Sequence, residues 1–313
     1  MEDPPALADV DGLAHEFAEL NGVRLHYVTG GSGPLMVFVH GLPQCWYMYR
    51  HQLAEFSRDH RVVAVDLRGF NLSGKPQRLY EYGVLPCALD LHALVTKLGY
   101  GEAVVMAHDI GVAVGWSFTL HYPEMVKALV TVGGAHPALF ERELRDNPEQ
   151  QQASRHWLSL RRPGSEDFYR ENDFGLFRSI FERMPFLTEQ DRASYLRSWR
   201  EPGAIDGILA WTRREGWGPP EDSTPAKGNY VPEVSPLTTN VPVLAVYGDA
   251  DPYIRPGCYR GLGEYAARLE VKSVPGAGHW ICEEAPSLVN GYVRGFLAAT
   301  AQPLVKTGPA IPG

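Results

Sequence analysis

Short runs of β-branched and other apolar residues recur along the first half of the chain, separated by longer stretches with apolar residues at helical spacing. The runs cover residues 35–39, 62–65, 103–106 and 128–132, and the stretches cover residues 46–56, 85–98 and 111–121. Strands that alternate with helices of this length predict βαβ units, in which each helix is the right-handed crossover between two parallel strands. We therefore expect a parallel sheet covered by helices.

The pattern changes twice further along. From about residue 136 to residue 232, Arg, Glu, Asp, Trp and Tyr dominate and no strand-like run occurs, which predicts a helical insertion. Strand-like runs return at residues 241–247 and 269–274, and a helical stretch follows from about residue 285 to residue 300. The chain is thus expected to re-enter the same sheet after the insertion.

These features predict an α/β fold with two domains. The core domain is expected to combine residues 1–135 with residues 233–313, and the helical domain to span residues 136–232. Residues 23–28 alternate like an antiparallel strand at the edge of the sheet. Both ends, residues 1–13 and 301–313, are rich in Pro or in small polar residues and are expected to fray.

Composition excludes several classes of protein. The chain has 313 residues, of which 44% are hydrophobic and 21% charged, as in an ordinary globular protein. Its formal net charge of −8 argues against nucleic acid as a partner. Neither a secretory signal nor a run long enough to span a bilayer is found, so a cytoplasmic location is expected. The four cysteines are widely scattered, without a CxxC pair, and are expected to be buried reduced thiols.

A candidate nucleophile follows the third apolar run. The sequence Ala107-His108-Asp109-Ile110-Gly111 lies where a strand passes into a helix. A nucleophile on such a tight turn needs small neighbours two residues before and after it, and Ala107 and Gly111 meet this need. Since the central residue is Asp109 rather than Ser, ordinary ester hydrolysis by a serine is not favoured. On this pentapeptide alone, Asp109 could equally be the N-cap of the helix.

A candidate acid and a candidate base follow in the order that a catalytic triad requires. Asp249 and Asp251 come directly after the run 241–247, and His279 follows the run 269–274. The carboxyl ends of parallel strands meet at one edge of the sheet, so these side chains are expected to face Asp109. Two backbone N–H groups, of Leu42 after the first apolar run and of Ile110, would form an oxyanion hole there.

Taken together, these pieces resemble the α/β-hydrolase superfamily, and within it the branch of epoxide hydrolases and dehalogenases. The segments that carry the resemblance are residues 40–43, 66–76, 108–111, 248–251 and 278–280, and the predicted helical insertion takes the place of the family's cap domain. In that family the acid follows the glycine by three residues, which favours Asp251, with Asp249 as the lesser alternative. The resemblance implies attack by Asp109 on carbon, giving an ester that His279 and Asp251 hydrolyse with water. No metal or organic cofactor is implied.

The leaving group separates the members of this branch. Haloalkane dehalogenases have Trp after the nucleophile and often Asn after the His-Gly pair, where this chain has Ile110 and Leu42. Haloacetate dehalogenases share a His-Trp pair, here His156 and Trp157, but place arginines after the nucleophile, and this chain has none there. The resemblance therefore favours an epoxide hydrolase. A dehalogenase of activated C–halogen bonds and a non-hydrolytic binding homologue are the alternatives.

Epoxide hydrolases donate hydrogen bonds to the opening oxirane oxygen from two cap residues, generally tyrosines. The resemblance places His156, next to Trp157, at the first of these sites. It places Trp211 and Thr212 at the second, where relatives commonly have Tyr instead of Thr212. Tyr169 or Tyr195 could replace the absent tyrosine. The expected reactants are a small apolar organic substrate and water, and a homodimer is left open.

Overall fold

The computed structural model describes residue 10, residues 12–220 and residues 236–301. Eight strands form one sheet in the order β1-β2-β4-β3-β5-β6-β7-β8. Strand β2 pairs antiparallel with both β1 and β4, and all the other neighbouring strands pair parallel. The strands are β1 Leu13–Leu20, β2 Val23–Gly30, β3 Leu35–Val39, β4 Arg61–Val65, β5 Ala103–His108, β6 Val126–Val132, β7 Val243–Gly248 and β8 Leu269–Val274.

Helices connect the parallel strands and cover the sheet. Helix α2 packs on α3, and α1 packs on α10 and α11. A short 3₁₀ helix, Trp46–Tyr49, leads directly into α1. The α-helices are α1 Arg50–Phe56, α2 Val84–Lys97, α3 Ile110–His121, α4 Pro137–Asp146, α5 Pro148–Ala153, α6 His156–Leu160, α7 Glu166–Glu182, α8 Glu189–Arg200, α9 Ala204–Glu215, α10 Ile281–Glu284 and α11 Pro286–Ala301.

The predicted βαβ units are confirmed, because β3 to β6 occur where the apolar runs are and are buried along nearly their whole length. The position of β2 is different from the prediction. It is antiparallel as expected, but β1 lies outside it and forms the edge of the sheet. Sequence patterning missed β1 because most of its side chains are exposed, so its pairing with β2 depends on backbone hydrogen bonds.

Helices α4 to α9 all lie between β6 and β7, and the described residues of this segment contain no strand of the sheet. We call residues 136–220 the helical insertion. Its predicted end at residue 232 and most of the two ends expected to fray fall outside the described residues. Helix α7 is interrupted at residues 171–174, where three residues have positive φ angles.

The structure also bears on two expectations from composition, namely the state of the cysteines and the lack of a membrane-spanning run. All four cysteines, Cys45, Cys87, Cys258 and Cys282, are buried and free. In the part of the chain that the structure describes, no helix has the length and apolar character needed to cross a membrane.

A buried group of charged side chains joins α8 of the insertion to the core. Arg50 on α1 forms ion pairs with Glu283 on α10 and, from Nε at 2.9 Å, with Asp191 on α8. The Tyr195 hydroxyl donates to Glu283 at 2.7 Å, and the Gln44 amide donates to Glu283 at 2.6 Å. Buried charges are tolerated only when they are paired and hydrogen-bonded, and here both conditions are met. We call these five residues the α8 anchor.

Removal of one charge from the α8 anchor is expected to destabilise the protein strongly. In Glu283→Ala, the Arg50 guanidinium stays buried with a single carboxylate partner, and the free energy of unfolding should fall by about 3–5 kcal/mol. Urea denaturation measures this loss. The control is Glu182→Ala, which removes an exposed partner of Arg178 and should leave the denaturation midpoint almost unchanged. Equal midpoints for the two variants would contradict the importance of the anchor.

Candidate active site

Asp109 lies on a sharp turn between β5 and α3. Its backbone angles, φ 53° and ψ −120°, are unusual for a residue with a side chain. This turn can pack closely against the loop after β3 only because two glycines lie at the contact. A Cβ on Gly111 would lie 2.4 Å from the Val39 carbonyl oxygen, and a Cβ on Gly41 would lie 2.5 Å from the Asp109 Cβ. The turn therefore has the shape predicted for a nucleophile rather than that of a simple helix cap, and Asp109 makes no capping hydrogen bond.

His279 lies between two carboxylates. Its Nδ1 is 2.8 Å from Asp251 Oδ2, and its Nε2 is 3.4 Å from Asp109 Oδ2. The second oxygen of Asp251 accepts hydrogen bonds from the backbone N–H groups of Tyr253 and Ile254, at 2.7 and 3.0 Å. Both oxygens of Asp251 are thus held, which fixes the orientation of the imidazole.

The alternative acid, Asp249, lies elsewhere. It is exposed, and its Oδ1 accepts a hydrogen bond from the Gly276 N–H at 2.7 Å. This bond joins the loops that follow β7 and β8. Asp249 therefore braces a turn, and the structure brings Asp251 rather than Asp249 to His279.

The two oxygens of Asp109 have different surroundings. Oδ2 faces His279, whereas Oδ1 accepts a hydrogen bond from the Leu42 N–H at 2.9 Å. Ile110 follows Asp109 as the first residue of α3, where backbone N–H groups have no partner within the helix. The N–H groups of Leu42 and Ile110 thus belong to the two segments that flank the carboxylate, and their role as an oxyanion hole stays a prediction.

The protonation of this pair follows from burial and charge. Burial by itself would raise the pKa of Asp109, but the hydrogen bond and charge of His279 bring that pKa below its ordinary value. Burial by itself would lower the pKa of His279, but the charge of Asp251 and the hydrogen bonds to both carboxylates raise it to about 10. At neutral pH the site therefore holds an imidazolium between two carboxylates.

His108, directly before Asp109, contacts the base and helps to hold it in position. Its Nε2–H donates to the His279 carbonyl oxygen at 2.9 Å, and the two rings are 4.7 Å apart. Burial and the nearby charge of His279 lower the pKa of His108 to about 4, so it is neutral. Sequence reasoning gave His108 no role of its own.

A cavity of about 690 Å³, its open mouth included, extends from Asp109 into the helical insertion. Most of its wall is apolar or aromatic. The polar side chains in the wall are those of Asp109 and His279 together with three hydroxyls and one imidazole. The lining residues are Leu42, Pro43, Asp109, His156, Trp157, Ser159, Leu160, Tyr169, Leu176, Phe177, Ile180, Tyr253, His279 and Trp280.

His156 and Trp157 line the cavity, but the contacts of His156 do not favour it as the proton donor. Its Nδ1 is 3.0 Å from the Ala153 carbonyl oxygen, and a carbonyl oxygen can only accept. Burial lowers the pKa of His156 to about 4, so the ring carries one proton at neutral pH, on Nδ1. The remaining ring atom, Nε2, is therefore an acceptor.

Trp211 and Thr212 do not line the cavity, in contrast to the prediction. The Thr212 hydroxyl donates to the Leu209 and Leu160 carbonyl oxygens, at 2.8 and 3.2 Å, and Thr212 is fully buried. Trp211 is also fully buried and packs edge-to-face on Trp217. Both side chains thus pack around α9 inside the insertion. A motif comparison cannot tell whether a helix residue packs in this way or lines the cavity.

Of the two replacement tyrosines, the structure brings only Tyr169 to the cavity. Its hydroxyl is 2.6 Å from the Ser159 hydroxyl. Tyr195 belongs to the α8 anchor instead. Sequence reasoning missed Ser159 and Tyr253, although Tyr253 lies only two residues after Asp251, in the same loop. The described residues form no group of three or more His, Cys, Asp or Glu side chains placed to hold a metal ion.

This fold, with a carboxylate on the turn after β5 and a His–Asp pair at the ends of later strands, is that of a hydrolase. The family model for the α/β hydrolase fold matches residues 34–286, so the chain belongs to this family. Within the family it belongs to the epoxide hydrolase branch, as its relatives show.

Epoxide hydrolase 1 of Caenorhabditis elegans is 30% identical over 298 residues, which cover 92% of this chain and 71% of the relative. Epoxide hydrolase 3 of Mus musculus is 29% identical, with 88% of this chain and 74% of the relative covered. Among solved structures, a Bacillus megaterium epoxide hydrolase in complex with an inhibitor is 33% identical, with a TM-score of 0.84, and covers 90% of this chain and 100% of its own.

Proposed function

We propose that this hydrolase opens epoxides through an ester formed on Asp109, with His279 and Asp251 as the base that releases it. The observation that carries the proposal is that the two oxygens of Asp109 have different partners. Oδ2 faces His279, and Oδ1 accepts a hydrogen bond from the Leu42 N–H. Oδ2, beside the base, is the proposed attacking atom, and Oδ1 is already bonded to a group that stabilises an oxyanion. The helical insertion is proposed to act as a cap over the reacting atoms.

In the first step, Asp109 Oδ2 attacks an oxirane carbon and the C–O bond of the ring breaks. The oxirane oxygen leaves as an alkoxide and takes a proton from a donor in the cavity wall. The low pKa of Asp109 keeps the nucleophile ionised at neutral pH. The product of this step is a neutral ester that carries the new hydroxyl group.

Formation of the ester changes the state of His279. The charge of Asp109 and its hydrogen bond contribute to the raised pKa of His279, and both are lost in the ester. The pKa of His279 therefore falls, and its proton can return to the donor that gave one up. Neutral His279, oriented by Asp251, then takes a proton from water. The hydroxide attacks the carbonyl carbon of the ester, and the Leu42 and Ile110 N–H groups stabilise the oxyanion. The C–O bond to the diol then breaks, and the leaving oxygen takes the proton held by His279. The carboxyl group of Asp109 gives its proton back to His279, which restores the resting ion pair.

Tyr169 is the proposed donor to the oxirane oxygen. Its hydroxyl lies in the cavity wall, and the Ser159 hydroxyl is within 2.6 Å of it. A phenol is a far stronger acid than the alcohol of a serine. In the resting site the Ser159 hydroxyl donates to the His156 carbonyl oxygen at 3.0 Å, so the Tyr169 hydroxyl donates to Ser159. Burial raises the pKa of Tyr169, and the hydrogen bond between the two hydroxyls opposes that rise. When Tyr169 gives up its proton, the Ser159 hydroxyl can turn to the phenolate and stabilise it.

Loss of the Tyr169 hydroxyl is expected to slow formation of the ester. In Tyr169→Phe the first step should fall by about 10²–10⁴-fold, the usual contribution of a general acid. Ser159→Ala should give a smaller loss, because the phenol remains. Rapid-quench mass spectrometry of the protein measures the ester directly. A large loss in Tyr253→Phe, with none in Tyr169→Phe, would assign the donor to Tyr253 instead.

A single turnover in ¹⁸O-labelled water tests the proposed function. Water is expected to attack the carbonyl carbon of the ester, so the label should enter the Asp109 carboxylate and be found in its tryptic peptide. An enzyme concentration above that of the substrate, styrene oxide, limits each protein molecule to one cycle. Label in the diol alone would mean direct attack of water on the epoxide and would overturn the ester mechanism. Turnover of a haloalkane with release of halide, but not of epoxides, would favour the dehalogenase.

The cavity supports a small, largely apolar epoxide as the substrate, with water as the second reactant. Eight of the lining residues have apolar or indole side chains, and none of the fourteen is Arg or Lys. An anionic substrate would find no cation there apart from His279, which is already paired with two carboxylates. We propose a cytoplasmic location, which the four free cysteines support.

A further inference from the structure

We infer that His156 is a specificity residue, whose Nε2 accepts a hydrogen bond from a hydroxyl group of the substrate. The preferred epoxides are then those that carry an alcohol a short distance from the oxirane ring. This inference rests on the proposed epoxide hydrolysis and names the class of substrate. It gives His156 a role opposite to that of a proton donor.

The tautomer of His156, the first residue of α6, is fixed by the last residue of α5. The Nδ1–H donates to the Ala153 carbonyl oxygen at 3.0 Å, one turn back along the chain. Within the described residues no side chain or backbone group donates to Nε2. Since burial keeps the ring neutral, Nε2 retains its lone pair and has no proton to give.

The position of His156 brings this acceptor near the reacting atoms. The ring of Tyr253 contacts both histidines, with its centroid 5.0 Å from that of His156 and 5.1 Å from that of His279. His156, Asp109 and His279 also line the same cavity. A polar group on the substrate can therefore meet the His156 ring while the oxirane lies at Asp109.

The surroundings of His156 make the hydrogen bond selective. Trp157 packs against its ring at 5.2 Å, and the rest of the nearby wall is largely apolar. A substrate without a donor would displace water from Nε2 and leave the acceptor unpaired, which is unfavourable in an apolar site. An ether or ester oxygen cannot relieve this, because it is itself an acceptor. A hydroxyl group relieves it directly.

The test compares two substrates of equal size, 3-phenylglycidol and 1-phenyl-1,2-epoxybutane, in which a methyl group replaces the hydroxyl. For each variant we take the ratio of kcat/KM for 3-phenylglycidol to kcat/KM for the epoxide without a hydroxyl group. The intrinsic reactivity of each epoxide then cancels when variants are compared. His156→Leu is expected to lower this ratio about tenfold, as one net hydrogen bond would. His156→Gln, which keeps an acceptor oxygen, should restore part of it.

Two controls make the outcome specific. His92→Leu replaces a histidine that stacks on Tyr122, away from the cavity, and should leave the ratio as in the wild type. The second control uses unreactive cyclopropane analogues of both substrates, whose dissociation constants are measured by calorimetry. The ratio of these constants should show the same tenfold loss in His156→Leu.

The results separate this inference from the proposed function. Hydrolysis of both epoxides with an unchanged ratio in His156→Leu would overturn the role of His156 and leave epoxide hydrolysis standing. Failure of the wild-type protein to hydrolyse either epoxide would overturn the proposed function. In that event, the cyclopropane analogues decide: a tenfold loss of preference supports the acceptor site, and an equal preference overturns it.

Discussion

Replacement of His279 by Gln is expected to trap the ester on Asp109. Gln is close to His in size, so Asp109 and the Leu42 N–H should keep their geometry and the first step should still proceed. Release of the diol should fall by about 10²–10⁴-fold, because no base is left to activate water. Intact-protein mass spectrometry should then show a gain equal to the mass of the epoxide, and peptide mapping should locate it on Asp109.

The matched control for this experiment is His92→Gln, the same substitution on α2, far from the cavity, which should turn over normally and show no adduct. If His279→Gln lost turnover without any adduct, His279 would be needed for the first step instead, and the assignment of the base to the second step would be contradicted. An adduct on another residue would move the nucleophile away from Asp109.

Replacement of Asp109 by Asn is expected to abolish turnover while the fold is retained. The amide is a poor nucleophile, and loss of the nucleophile from a triad typically lowers kcat by about 10⁴-fold or more. Asn tolerates positive φ angles better than most residues, so the turn after β5 should survive the substitution. Initial rates with styrene oxide, together with a thermal denaturation curve, measure both parts of this expectation.

Asp249→Asn provides the comparison, because Asp249 is an exposed carboxylate two residues from Asp251 in the loop after β7. Its contact with the Gly276 N–H can be kept by the amide oxygen of Asn, and activity should remain near that of the wild type. Normal activity in Asp109→Asn would leave Asp109 with a structural role only. A large loss in Asp249→Asn would mean that the wrong loop aspartate has been assigned.

The core of the sheet could be predicted because burial imposes a pattern on the sequence. Strands β3 to β7 are covered on both faces and therefore consist mostly of apolar residues, which are easily recognised. The edge strand β1 could not be found in this way, because an exposed strand held by backbone hydrogen bonds needs no apolar pattern. The positions of Asp109 and His279 followed from the ends of strand-like runs, whereas the choice of Asp251 over Asp249 needed the resemblance to a known family.

The insertion could be predicted as helical, but the directions of its side chains could not. Thr212 and Trp211 point into the packing of α9. Tyr169, one of two replacements that the sequence offered, meets Ser159 in the cavity wall, and no pattern marked Ser159. The tautomer of His156 depends on a single contact with the Ala153 carbonyl oxygen. Such contacts depend on how short helices rotate about their axes, and spacing along the chain does not determine this.

The α8 anchor limits how substrate can reach the cavity. Lifting α8 would separate Arg50 from Asp191 and Tyr195 from Glu283, and it would also break the bond from the Trp199 indole to the Pro43 carbonyl oxygen, next to Leu42. By contrast, the part of α7 near its interruption is tied to α8 by an ion pair that is largely open to solvent, between Arg200 and Asp173. Phe177 of α7 also packs on Trp199 of α8. Admission of an epoxide without movement of α8 leaves the buried ion pairs and hydrogen bonds of the anchor intact. The segment that sets the oxyanion geometry would then remain still while the entrance opens and closes.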